Sequence, residues 1–250
     1  NTLEVTGSIE ANEEVLLMPE SAGKLIDVFF TEGQPVSKGQ LLAQLNSSEV
    51  KARLMRLKLD EKLALDDESR KKHLLDIDAI SQQEYDIAKN KLDGLRADVN
   101  ATEAQIAKLE VRAPFSGTIG LRYVSPGAFV STSTALATLT QSNPVKVRFA
   151  IPERYIPVFN KKQPVSFSIT GSSKSYSAKV YATESRIDAQ TRAVMVRAHA
   201  DNSKGELVPG SFARVSLVFD KSYGTIMVPP NALVPEIKGQ KVFLFKGGKA

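Results

Sequence analysis

The chain writes one short β-unit twice. Residues 22–45, AGKLIDVFFTEGQPVSKGQLLAQL, return as residues 116–139, SGTIGLRYVSPGAFVSTSTALATL, at a constant offset of 94 residues and without a gap. Gly23, Gly33, Val36, Ser37, Leu42, Ala43 and Leu45 recur as Gly117, Gly127, Val130, Ser131, Leu136, Ala137 and Leu139. These 7 identities in 24 positions exceed the one or two that chance gives, roughly, and such self-similarity signals architecture. Gly33 and Gly127 stand where the chain must turn, a task glycine performs by reaching positive φ. Val36, Leu42 and Leu45 have the apolar character of strand residues facing a small core. Neither copy carries enough apolar surface to stand alone, because an isolated hairpin is marginal in water. The repeat therefore predicts a flattened barrel or sandwich made of two symmetry-related halves.

More than 60 residues separate the copies, and they read as two helices. Asn46, Ser47 and Ser48 offer N-caps before Glu49, and the run to Leu75 is rich in Leu, Lys, Glu and Arg without Gly or Pro. In the second helix Tyr85, Ala88, Leu92, Leu95, Val99, Thr102, Ile106 and Leu109 step by 3 and 4 in alternation, the a/d spacing of a coiled coil. Gly94 is its weak point, by roughly 1 kcal/mol relative to alanine. The first helix is less regular: Val50, Leu54, Leu57 and Ala64 hold a matching seam, while Glu61, Glu68 and Lys71 interrupt it. Joined near Asp76–Ile80, two antiparallel arms of about 29 residues should reach roughly 43 Å from the β-unit at 1.5 Å per residue. Ser81 and Glu84 form an S-x-x-E capping box that would start the second helix in any context. The repeat is then a base and the insert a spike. A spike with apolar seams and no catalytic groups is built to touch another protein.

After Gln141 the pattern changes to short strands: PVKVRFAI, PVSFSIT, YSAKVYATE, AVMVRAHA and FARVSLVF, separated by turn signals such as Gly171–Ser172–Ser173 and Pro209–Gly210. Short alternating strands at this spacing predict a compact β-barrel. PERYIPVF suggests a short helix across one end, with Pro152 in its first position. The tail TIMVPPNALVPEIKGQKVFLFKGGKA begins a further β-unit, for which the N-terminal TLEVTGSIEANEEV is a partner unless it joins the barrel. Either pairing makes the chain run out through each outer domain and return.

Several function classes drop out. The only histidines, His73 and His199, lack the Asp and Ser companions of a general base, and no phosphate loop, dinucleotide fingerprint or zinc-protease motif occurs. The expectation is that the chain is not an enzyme and holds no cofactor or metal. Cysteine is absent, which excludes disulfides and thiolate chemistry, and four scattered Met with two His give no soft-metal cluster. The net charge of +5 raises nucleic-acid binding. Its distribution argues against that, because residues 47–109 hold 12 Lys/Arg against 13 Asp/Glu and the remainder is spread without a basic stripe. No run of 18 apolar residues or signal peptide is present, so the chain reads as soluble, with any anchor lying upstream of Asn1.

The half-repeats resemble those of lipoyl and biotinyl carrier domains. A carrier needs a lysine on a tight turn between the halves, and here that place holds Asn46–Ser47–Ser48 and then the helices; the carrier reading fails. The stretches TGSIEANEEVLLMPESAGKLIDVFFTEGQPVSKGQLLAQL, LEVRAPFSGTIGLRYVSPGAFVSTSTALATL and SRIDAQTRAVMVRAHADNSKGELVPGSFARVSL together resemble the periplasmic adaptor (membrane fusion) proteins of tripartite efflux pumps. The likeness covers essentially the whole chain and is strongest to adaptors of resistance-nodulation-division (RND) transporters. It implies a mainly β, elongated, multi-domain chain. Residues 16–46 and 110–141 would form the lipoyl-like sandwich and 47–109 the helical hairpin. Residues 9–15 and 142–221 would form the β-barrel, and 1–8 and 222–250 part of a membrane-proximal β domain. It also implies a periplasmic protein anchored to the inner membrane. Its partners would be an RND-type inner-membrane transporter, a TolC-like outer-membrane channel and further copies of itself, six to a ring. An adaptor of an ABC-type exporter shares this architecture and stays as the alternative. The family's tip motif is an Arg, a Leu four residues on and a Ser seven beyond that, which Arg70, Leu74 and Ser81 satisfy at the helix junction. Leu74 sealing the seam and Arg70 joining the solvated run with Lys71 and Lys72 remain the structural readings of the same residues.

Overall fold

The computed structural model describes residues 2–159, 164–171, 174–219, 232–236 and 239–242. Strand β1 (Thr2–Leu17) leads into the first half-repeat, β2 (Gly23–Val28), β3 (Pro35–Val36) and β4 (Leu41–Leu45). Helices α1 (Ser48–Asp76) and α2 (Gln82–Ala107) follow. The short β5 (Glu110–Arg112) then leads into the second half, β6 (Gly117–Arg122), β7 (Phe129–Val130) and the start of β8 (Ala137–Pro152).

The halves exchange strands about a local two-fold. β2 pairs with β7 and β6 with β3, so each half supplies what the other lacks. The loop bonds repeat at the same offset. The Gly33 amide donates to the Ile119 carbonyl at 2.9 Å and the Gly127 amide to the Leu25 carbonyl at 2.8 Å. Both glycines have positive φ, 77° and 91°, as the turn requires. Equivalent apolar residues fill one core: Leu25 with Ile119, Val36 with Val130, Leu42 with Leu136 and Leu45 with Leu139 are all buried. The symmetry extends beyond the sequence match. Leu17 at the end of β1 and Val111 in β5 also lie 94 residues apart, and both are buried in that core while pairing with equivalent strands.

Six strands close the barrel. Four complete it beside β1 and β8: β9 (Pro164–Ile169), β10 (Tyr176–Thr183), β11 (Ala193–Ala200) and β12 (Phe212–Val218). The ring runs β1-β12-β9-β10-β11-β8 and returns to β1, leaving no free edge. Thr2–Ser8, expected in a membrane-proximal unit, pair along their length with β12 and so lie in the barrel wall. Their alternating burial, with Val5 packed against the barrel core, is what the pairing demands. The helix expected at PERYIPVF is a 3-10 turn over Glu153–Val158, with Pro152 before it and Pro157 inside it. A proline within six residues removes a donor that a longer α-helix would need. Of the expected tail unit, β13 (Val234–Glu236) and β14 (Gly239–Lys241) pair as a hairpin, and the rest lies outside the described residues.

β1 and β8 run through both units, joined by a bulge between Ala11 and Glu13. The crossing is held by polar groups. Buried Asn202 donates from its side chain to the Ser142 and Leu207 carbonyls, each at 2.8 Å, and accepts from the Leu207 amide at 2.9 Å. Lys146 Nζ reaches the Asn12 carbonyl at the bulge. A fully satisfied buried amide ties the loop after β11 to the segment of β8 where the barrel begins.

His199 on β11 stacks on Tyr181, ring centroids 3.9 Å apart, with Lys146 and Lys179 in register on the flanking strands. Burial, then the Lys146 charge, holds its imidazole below the ordinary value of 6.5. Below that value the unfolded chain takes up a proton that the folded chain refuses. The contribution of His199 is therefore complete above about pH 6.5 and is lost as pH falls through the histidine range. Urea midpoints at pH 7.5 and 5.5 should show lower stability at 5.5, with the difference reduced in His199→Gln.

Candidate docking site at the hairpin tip

The insert is an antiparallel helical hairpin of 29- and 26-residue arms. It leaves the sandwich from β4 and returns through β5, which pairs with β4. The seam on α2 is the one its spacing predicts, with Ala88, Leu92, Val99 and Thr102 buried. On α1 the buried and half-buried positions include 50, 54, 57, 61, 64, 68, 71 and 75, an unbroken heptad series, with Asp67 half-buried beside it. Glu61, Glu68 and Lys71 thus occupy seam positions, and each finds a partner. Glu61 lies 3.5 Å from Arg96, Lys71 lies 3.8 Å from Asp67, and Glu68 accepts from the Tyr85 hydroxyl at 2.8 Å. The hydrogen bond to the Glu68 carboxylate pushes the Tyr85 phenol upward.

The tip is a tight turn. α1 ends when Asp78 adopts φ 55° and donates its amide to the Leu75 carbonyl at 2.9 Å, while the Ala79 amide reaches the Leu74 carbonyl at 2.8 Å. Ser81 then caps α2. Its hydroxyl accepts from the Glu84 amide and Glu84 Oε2 accepts from the Ser81 amide, both at 3.2 Å. This is the reciprocal capping box. At α1, by contrast, Ser47 makes no side-chain cap, and Asn46 Oδ1 accepts from the Ser48 amide instead.

Arg70, Leu74 and Ser81 all fall at this end of the hairpin, on the last two turns of α1 and at the start of α2. The Arg70 guanidinium is 3.6 Å from Asp67 with its side chain 70% exposed, so the pair contributes little to the fold. Leu74 does not seal the seam. Leu75 holds that position, and Leu74 stands beside it, 39% exposed. Ile77, one turn on, is 60% exposed and extends the same apolar end. Motif spacing does not single out Ile77, whose one signal in the sequence is an apolar residue off the heptad frame in a turn. The tip therefore offers apolar side chains beside a cation, with Ser81 engaged in its cap. Among the described residues no group of three or more His, Asp or Glu is placed to hold a metal, and no helix is long and apolar enough to cross a membrane.

A closed barrel, a two-fold sandwich and a helical spike carried on that sandwich define an adaptor of the membrane fusion class. Comparison with known proteins gives the family. Residues 13–142 match the "RND MFP, barrel-sandwich hybrid domain" and residues 144–221 the "CusB-like, beta-barrel domain". The chain belongs to the RND membrane fusion protein family, the RND-type periplasmic adaptors. It is 26% identical over 261 residues to the multidrug resistance protein MdtA of Photorhabdus laumondii, covering 95% of this chain and 65% of that protein. It is 27% identical over 246 residues to an uncharacterized protein of Haemophilus influenzae, covering 98% of this chain and 64% of the relative. The chain thus spans less than two thirds of the length of these curated relatives. In fold it is similar to a MacA–MexA chimera bearing the Pseudomonas aeruginosa MexA α-hairpin. The TM-score is 0.75 at 22% identity, over 88% of this chain and 81% of that one.

Proposed function

We propose that the chain is the periplasmic link of a tripartite efflux pump. In this reading the barrel, with the unit begun by β13 and β14, docks on an RND-type inner-membrane transporter, and an anchor upstream of Asn1 holds the protein to the inner membrane. The sandwich, residues 16–46 and 110–141, packs side by side around a ring of six copies. The hairpin, residues 47–109, reaches a TolC-like outer-membrane channel through Arg70, Leu74 and Ser81. The barrel takes 2–15 with 142–221, since Thr2–Ser8 pair with β12. The partner supplies the transport energy, and this chain performs no chemistry. The RND family match favours an RND transporter over an ABC-type exporter.

The observation that carries the reading is the placement of Leu74: an apolar side chain at the far end of a rigid spike, off the seam that would otherwise account for it. Burying such a residue is worth on the order of 1 kcal/mol, and repetition around a ring multiplies weak contacts. The test is site-directed crosslinking in cells, with a single cysteine at Leu74 and, as a control, at exposed Lys204 of the full-length protein. The cysteine-free chain makes both unambiguous. A Leu74-specific product with an outer-membrane channel, abolished by Arg70→Asp, is expected. Intact export without any such product would overturn the tip assignment.

A further inference from the structure

The barrel carries a cavity at the end away from the sandwich. β8 runs out of the sandwich and stops at Pro152, and β11 starts beside it, with Val194 in register with Ile151. These two buried side chains and Val196 line a space of about 320 Å³, a size in the range of small-molecule sites. Ile156 and Phe159 at the 3-10 turn and Ile187 in the loop after β10 complete its apolar lining. The turn is held in place. Tyr155 stacks on Phe219 with ring centroids 5.3 Å apart, and the Glu153 amide donates to the Arg192 carbonyl at 3.0 Å. An apolar hollow framed by strands and a fixed turn does not need to be built by its ligand.

The loop after β10 sorts its polar groups. Ser185 and Ile187 line this cavity, Arg186 and Asp188 line a neighbouring hollow, and Glu184 borders both. Asp188 is committed to its own turn, since Oδ1 accepts from the Gln190 and Thr191 amides at 3.0 and 2.8 Å and from the Thr191 hydroxyl at 3.0 Å. Arg192 lies 3.8 Å from Glu153, and Arg154 lies 4.8 Å over the Tyr155 ring. Glu184 is different. Its amide donates to the Met195 carbonyl at 2.8 Å, which fixes its backbone against β11. Among the described residues its carboxylate has no ion pair and no hydrogen bond. Of the described residues that line the cavity it alone is charged.

We infer that this cavity binds a small organic cation with an apolar body. The body is buried against Ile151, Val194 and Val196, and the cationic group stands beside Glu184 at the mouth. Apolar burial supplies the affinity and the carboxylate the selectivity. An anion of the same shape would meet that carboxylate, and a neutral molecule would leave it unused. The site lies at the opposite end of the described chain from the hairpin tip. The inference goes beyond the adaptor reading and does not depend on it.

The experiment is calorimetric titration of the full-length protein with three probes that share one tail: octyltrimethylammonium, octanol and octyl sulfate, each below its micelle concentration. The cation should bind at a single site about fivefold more tightly than octanol, as one partly exposed charge pair allows, with octyl sulfate the weakest. High salt should shrink that preference. Glu184→Gln, an exposed change, should remove the preference and leave octanol binding as it was. Ile187→Arg should abolish binding of the cation and of octanol, by filling the cavity with a charged side chain. Equal binding of all three probes, or a preference kept by Glu184→Gln, would overturn the assignment of the charge. Binding kept by Ile187→Arg would overturn the location. If no probe binds and Ile187→Arg instead weakens association between copies of the chain, the hollow is a protein contact and the inference fails.

Discussion

Phe149→Ala is expected to cost about 3–5 kcal/mol of barrel stability, the range for truncating a buried phenylalanine. Phe149 is 1% exposed on β8, in register with Gly7 on β1 and Val196 on β11. The site is tightly fitted: a Cβ at Gly7 would come within 3.1 Å of the Phe149 Cβ and 2.6 Å of the Arg148 carbonyl oxygen. β1 and β8 continue into the sandwich, so the wall cannot collapse into the vacancy without moving that unit as well. A loss of this size should lower the melting temperature by roughly 10 °C for a chain of this length. Hydrogen exchange should show faster opening of β8 and β11, with the amides of α1 and α2 unaffected. Phe129→Ala is the control. Phe129 is the same residue type on a strand of the sandwich but is 77% exposed, and its loss should change stability by no more than about 0.5 kcal/mol. Equal effects from the two substitutions would contradict the assignment of the core.

The repeat made the sandwich legible because its constraints are local. Gly33 and Gly127 are written as glycine for a backbone reason that survives in a single sequence, and the recurrent apolar residues are the ones that meet in the core. Gly117 is less transparent. It looks like a turn residue, yet it lies in β6, where a Cβ would stand 2.5 Å from the Thr140 carbonyl oxygen on β8. That close approach belongs to two strands 20 and more residues apart, and no local pattern announces it. The equivalence of Leu17 and Val111 is hidden in the sequence for a related reason: chemical kind is kept there and identity is not.

The barrel was legible as a set of strands, not as a closed ring. Alternation predicts that Thr2–Ser8 form a strand and cannot say whether β12 or the tail receives it. On the hairpin, charges at Glu61, Glu68 and Lys71 hid the heptad frame of α1. The frame decides which of the adjacent residues Leu74 and Leu75 faces α2. Once Tyr85 and Arg96 are seen to meet those carboxylates, the interruption becomes a polar layer in a continuous seam.

That distinction between neighbours gives the largest functional effect. Leu74→Asp should leave the fold untouched and stop export. The side chain is off the seam and partly exposed, so the substitution should alter stability by about 0.5 kcal/mol or less, and hydrogen exchange across the tip should be unchanged. At the proposed channel contact it places a carboxylate where an apolar group is buried. If each tip loses about 1 kcal/mol, the six tips of the proposed ring would lose about 6 kcal/mol, on the order of a 10⁴-fold weakening. Export measured by substrate accumulation should therefore fall well beyond tenfold. Leu75→Asp separates docking from folding. It puts the charge into the half-buried seam one turn beyond Lys71, so it should speed exchange of the tip amides as well as impair export. Full export by Leu74→Asp would remove Leu74 from the contact. Loss of export with faster exchange at the tip would instead make Leu74 a structural residue.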